Sequence, residues 1–110
     1  MNLLKKKKIL FWTNHVQGKM RFYQLSENRV KRVINSPHRI EKGIAPNTIA
    51  MMQRAGSKKH PYEIWTMIQD EKSRRKIISA WRYPGITKPR SENALDFLKR
   101  EYSEYITSSD

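Results

Sequence analysis

Arg82 and Tyr83 close a run of apolar residues just before Pro84-Gly85. Arg54 ends an earlier apolar run, and His15 follows a capping pair, Thr13-Asn14. A guanidinium clamps a phosphate through a planar fork, a phenol trades a proton or stacks on a base, and an imidazole at a helix start is held neutral by the dipole. Together these types supply what phosphodiester cleavage needs without a metal: a base for the 2′-OH, a cation for the phosphorane, and an acid for the leaving oxygen. Each residue also has a plainer role. Arg82 and Arg54 fit solvated strand ends, Tyr83 fits packing against a helix, and His15 fits a capping or packing histidine. On a regular strand Arg82 and Tyr83 point to opposite faces, so they share a site only if the chain bends at Pro84.

The cations frame these candidates. Residues 1–90 hold 21 Lys and Arg against 5 acids, and residues 91–110 hold 2 against 5. A basic body with an acidic tail points to a polyanion, with nucleic acid the first choice. An anionic membrane fits less well, because the cations are spread over strands and turns rather than along one amphipathic helix. Lys19 and Arg21 stand in the His15 segment. Lys58 and Lys59 mark one turn, and Arg74, Arg75 and Lys76 mark another. These two turns flank the first strand of a hairpin, so they should lie at opposite ends of a sheet, roughly 20 to 30 Å apart. They suit salt-dependent contact with a long strand or a duplex, not with one phosphate. There is no cysteine, and His15, His38 and His60 lack paired ligand spacing, so neither a metal nor another cofactor is expected.

The elements that position these residues follow from pattern. Residues 61–83 are two runs rich in β-branched and aromatic residues around a polar break, which is a hairpin signal. Strict alternation sets Ile77, Ser79 and Trp81 against Ile78 and Ala80. Lys8 to Trp12 reads as a short strand. Thr13 or Asn14 caps a helix whose faces are Val16-Met20-Tyr23 and His15-Lys19-Phe22. Ser26 caps a second helix with Val30, Val33 and Ile34 inward and Arg29, Lys31 and Arg32 outward. Arg39 to Lys42 and Asn47 to Arg54 read as further strands. After a linker at 84–90, Ser91 caps a last helix with the stripe Leu95, Leu98, Tyr102, Tyr105 and Ile106. The tail from Thr107 to Asp110 should fray.

The expectation is an α+β domain over residues 1–90, with two N-terminal helices on one face of a three- to four-stranded antiparallel sheet. An acidic helix over 91–110 packs on the second face. If its acids mask the basic sheet, deleting it should raise affinity for RNA. The start of the chain, Leu3-Leu4-Lys5-Lys6-Lys7, shows no cleavable leader, and no apolar run is long enough to span a bilayer, so the cytoplasm is the expected compartment.

The segment His15-Val16-Gln17-Gly18-Lys19-Met20-Arg21-Phe22-Tyr23-Gln24-Leu25-Ser26, with Val30 and Val33-Ile34-Asn35-Ser36-Pro37, resembles a small bacterial domain family of unknown function. That family looks related to BrnT and, more distantly, to RelE-type ribonuclease toxins. Ile77-Ile78-Ser79-Ala80-Trp81-Arg82 is similar to the last strand of BrnT proteins. The likeness covers residues 8–85 and leaves the acidic helix outside. It implies a RelE/BrnT-like fold, metal-independent cleavage of RNA, free or ribosome-associated, and an antitoxin partner. Alternatives are a non-catalytic nucleic-acid binder on the same fold and an interaction module for an acidic protein.

Overall fold

The structure, a computed structural model, describes residues 8–108. The reading of Leu3 to Lys7 falls outside them, as do Ser109 and Asp110 of the expected frayed end. In chain order the elements are β1 (Ile9–Trp12), α1 (Asn14–Tyr23), α2 (Glu27–Asn35), β2 (Arg39–Lys42), β3 (Thr48–Gly56), β4 (Pro61–Asp70), β5 (Arg74–Pro84) and α3 (Glu92–Thr107). The class is α+β. No helix among the described residues is long and apolar enough to cross a membrane.

The sheet has five strands in the order β1-β5-β4-β3-β2, rather than the expected three or four. It is mixed rather than antiparallel, because β1 runs parallel to β5 with Ile9 opposite Arg74. A parallel partner needs a crossover rather than a turn, so nothing near β1 in sequence announces where it pairs. The other neighbours are antiparallel meander pairs.

Alternation along β5 breaks at a bulge. Ser79 pairs with Met67 and Ile77 with Ile68, so Ile78 is the extra residue. Two residues of β5 therefore oppose one interval of β4, and side chains beyond the bulge change faces relative to strict alternation. Ile77 joins Ala80 in one core, while Ile78 joins Trp81 in the other. The alternation expected from the sequence had grouped Trp81 with Ile77, and the bulge corrects it.

One core gathers Val16 and Met20 of α1, Val30 and Val33 of α2, and Met51, Ile64, Ile68, Ile77 and Ala80 from the sheet. The second gathers Ala50, Met52, Trp65, Met67, Ile78 and Trp81 beneath Leu98 and Tyr105 of α3. The placement of α1 differs from a helix laid flat on one face. Where β1 ends, α1 takes over the β5 edge. Thr13 caps its start by accepting from the Val16 amide at 3.1 Å, and the Thr13 hydroxyl lies 2.9 Å from the Ile77 carbonyl oxygen. At the far end Gln24 takes the left-handed conformation (φ 57°), and the Leu25 amide donates to Met20 O at 2.8 Å. The helix thus covers an edge that would otherwise offer unpaired backbone groups. It also turns His15 and Lys19 toward α3, where Lys19 forms an ion pair with Glu101 and His15 Nε2 lies 3.6 Å from the same carboxylate.

Candidate nucleic-acid interface

Arg82 and Tyr83 are divided between the two faces. Arg82 lies on the α1 side, where its Nε and Nη2 donate to Tyr23 O at 3.3 and 3.1 Å. Its guanidinium also lies 5.0 Å from the Tyr62 ring centre. A cation at that carbonyl complements the C-terminal end of the α1 dipole. Tyr83 faces α3, edge-on to Phe97 at 5.2 Å. The chain does not bring the pair together at Pro84. Arg54 is exposed at the β3 exit, and its amide donates to His38 Nδ1 at 2.9 Å.

His15 and Lys19 form a separate polar cluster with α3. Glu101 is fully buried there. Its Oε1 accepts from Ser79 Oγ at 2.6 Å and stands 3.6 Å from His15 Nε2. Its Oε2 lies 2.9 Å from Lys19 Nζ, and Glu104 lies 3.6 Å from the same ammonium. Ligand atoms of His15, Glu101 and Glu104 come within 4.8 Å of one another, close enough for a metal ion. The Lys19 ammonium, however, already stands at both carboxylates, so this cluster carries its own cation. The apolar stripe expected for α3 leaves Glu101 out. The buried stripe is in fact Ala94, Leu98, Glu101 and Tyr105, and Ile106 is exposed.

The two cationic turns behave differently. At the β4–β5 turn, Arg75 holds Asp70 at 2.8 and 3.2 Å, Arg74 pairs with Glu71, and Lys76 lies 3.8 Å from Glu71. The hydrogen bond from Arg75 is the first cause of a carboxyl pKa held below the usual range at Asp70, opposed by burial and helped by Lys8. A depressed folded-state pKa adds stability above the unfolded value and loses it as pH falls through the folded one. Asp70→Asn is therefore expected to cost about 0.5 kcal/mol at neutral pH, after discounting for its solvent exposure, and progressively less as pH falls through the acid range. Urea midpoints at neutral and acid pH check this.

At the β3–β4 turn, Lys58 and Lys59 are exposed. Gly56 makes that turn at φ +83°, and a Cβ there would come within 2.3 Å of His60 O. This end of the sheet also receives Arg54, Arg82, the last turn of α1 with Arg21, and α2 with Arg29 near its start and Arg32 in its last turn. Arg29 Nη1 donates to Gln53 Oε1 at 2.6 Å. Gln53 in turn donates to Arg32 O at 3.0 Å and Ser36 O at 2.8 Å, fixing α2 to β3. Burial, then the neighbouring Arg32 charge, lower the Arg29 pKa; Arg82 adds to the effect and Tyr62 opposes it. Sequence reasoning set Arg29 and Arg32 on an outward face and gave Tyr62 no role. Their convergence depends on α2 crossing β3, which no local spacing encodes.

The distribution of acids separates this end from the rest. Among the described residues, the carboxylates in ion pairs are Glu41, Asp70, Glu71, Glu101 and Glu104. None of them pairs with a cation of the β3–β4 end. Glu27 there is exposed in the first turn of α2, and Glu63 is buried and occupied. Glu63 accepts from Trp65 Nε1 at 2.9 Å, and from the Thr87 amide and hydroxyl at 2.9 and 2.8 Å. Arg39 donates to the Thr87 carbonyl and hydroxyl as well. That network ties the linker after β5 to the sheet, and so sets the path to α3.

A scan against protein-family models, a search of curated proteins and a search of solved structures each found no match to this chain.

Proposed function

We propose that this protein binds RNA through the β3–β4 end of its sheet, on a frame of RelE/BrnT type. The observation that carries this reading is the segregation of charge. Arg21, Arg29, Arg32, Arg54, Lys58, Lys59 and Arg82 gather at one end with no carboxylate paired to them among the described residues. At the opposite end Lys8, Arg74, Arg75 and Lys76 are each paired with Asp70 or Glu71, which share two negative charges among them. Like charges gathered without paired acids raise a positive potential, which suits a phosphate backbone and not an acidic peptide of no fixed spacing. An antitoxin, on this reading, would cover the same end with carboxylates.

A salt series tests it. Each phosphate contact contributes about 0.7 to the slope of log affinity against log salt for a single strand. The triple substitution Arg54→Ala/Lys58→Ala/Lys59→Ala is expected to flatten that slope by about 2. Arg74→Ala/Arg75→Ala should change it far less. Equal losses from the two sets would remove the assignment to this end.

Metal-independent cleavage is a second reading, favoured by one contact. The Tyr62 ring lies beneath the Arg82 guanidinium and close enough to Arg29 to act on its charge. A phenol and two guanidiniums around one phosphodiester are suited to proton transfer and charge stabilisation. Products that form in EDTA and vanish in Arg82→Ala would support cleavage. Binding without products would leave the protein a binder.

A further inference from the structure

We infer that Arg29, Arg82 and Tyr62 form a seat for one terminal phosphate of an RNA strand, an inference that rests on the RNA reading above. Gln53, Ile64 and Arg82 lie in one row across β3, β4 and β5. Gln53 and Arg82 therefore share the helix-side face, with Cα atoms about 10 Å apart. Arg29 reaches into this span from α2 and is held by Gln53 at 2.6 Å. Arg82 is held from the other side by Tyr23 O and lies over the Tyr62 ring.

Both guanidiniums are thus fixed before any ligand arrives, and both keep donors in hand. A guanidinium has five N–H groups. Arg82 directs its Nε and Nη2 to one carbonyl, and Arg29 directs its Nη1 to one amide oxygen. Among the described residues neither pairs with a carboxylate, and the Tyr62 hydroxyl makes no hydrogen bond. Two fixed positive charges and a phenolic donor match a dianion better than the single charge of an internal diester. A phosphomonoester is that dianion at neutral pH, since its second pKa is about 6.

The probe is one short single-stranded RNA in three forms: 5′-phosphate, 3′-phosphate, and hydroxyl at both ends. Affinities are read by fluorescence anisotropy at physiological ionic strength. One phosphorylated form should bind about tenfold tighter than the hydroxyl form, and which one does so identifies the end. That ratio should fall toward one below about pH 6, and in Arg29→Lys. Tyr62→Phe keeps the ring beneath Arg82 and should reduce the ratio several-fold. Equal affinity for all three forms would overturn the seat and leave RNA binding standing. A ratio that survives in both variants would also overturn it. Failure of every form to bind at low salt would instead remove the RNA reading itself.

Discussion

Glu101→Ala is expected to destabilise the fold by about 3 kcal/mol, seen as a lower urea midpoint with an unchanged slope. Glu101 is the fully buried carboxylate that joins α3 to both α1 and β5. Its removal leaves Lys19 beside Ser79 and His15 with only Glu104 for a counter-charge, and Glu104 is half exposed at 47% of its side chain. Lys19 itself keeps 19% exposure, so its long stem can carry the ammonium outward and relieve part of the cost. The reverse variant has no such escape. Lys19→Met leaves the Glu101 carboxylate inside without its ammonium, and is expected to cost about 3–5 kcal/mol. The double variant Glu101→Ala/Lys19→Met removes both charges and should cost clearly less than the two single costs added. Additive costs would show that the two side chains do not act as a pair, and that α3 is held by its apolar stripe alone.

Much of the scaffold was legible because its signals are local. Thr13, Ser26 and Ser91 cap the three helices, each accepting from a backbone amide three residues on. The two faces of α1 follow from helical spacing, with Val16 and Met20 in the core and His15 and Lys19 on the other side. The opposed directions of Arg82 and Tyr83 follow from the period of a strand. What the sequence hid is set by tertiary contact. A bulge at Ile78 costs one residue of register and leaves no signature in a run of β-branched residues. Nothing local announces the burial of Glu101 or Glu63, because partners arrive from distant positions, Lys19 and Ser79 for one and Thr87 for the other. The basic end was half legible. Arg54, Arg82, Lys58 and Lys59 were singled out, whereas Arg29 and Tyr62 become visible only when α2 is laid on β3 and β4.

Deleting residues 91–110 is expected to abolish the cooperative fold, so raised RNA affinity is no longer the outcome to expect of such a chain. The second core is closed on one side by α3, with Trp81 stacked on Phe97 at 6.2 Å and Trp65 stacked on Trp81 at 5.8 Å. Losing that cover exposes parts of Trp65, Trp81 and Ile78, and burying one such side chain contributes roughly 1.5–3 kcal/mol. The sum is comparable to a net stability of about 5–15 kcal/mol. The same deletion strands His15 and Lys19 without Glu101. Circular dichroism and a urea titration of the truncated chain check this, and a cooperative transition near that of the full chain would overturn it. Masking of cations by α3 is then a question for its exposed acids. Glu92, Asp96 and Glu104 face solvent, and of these Glu104 reaches a cation, Lys19. Neutralising all three as Glu92→Gln/Asp96→Asn/Glu104→Gln keeps the apolar stripe and Glu101 in place. RNA affinity should rise by no more than about threefold at physiological salt, because the three acids are exposed and none of them pairs with a cation of the β3–β4 end. A rise of an order of magnitude or more would mean that RNA runs over α3 as well, and that the binding surface extends beyond the end assigned to it.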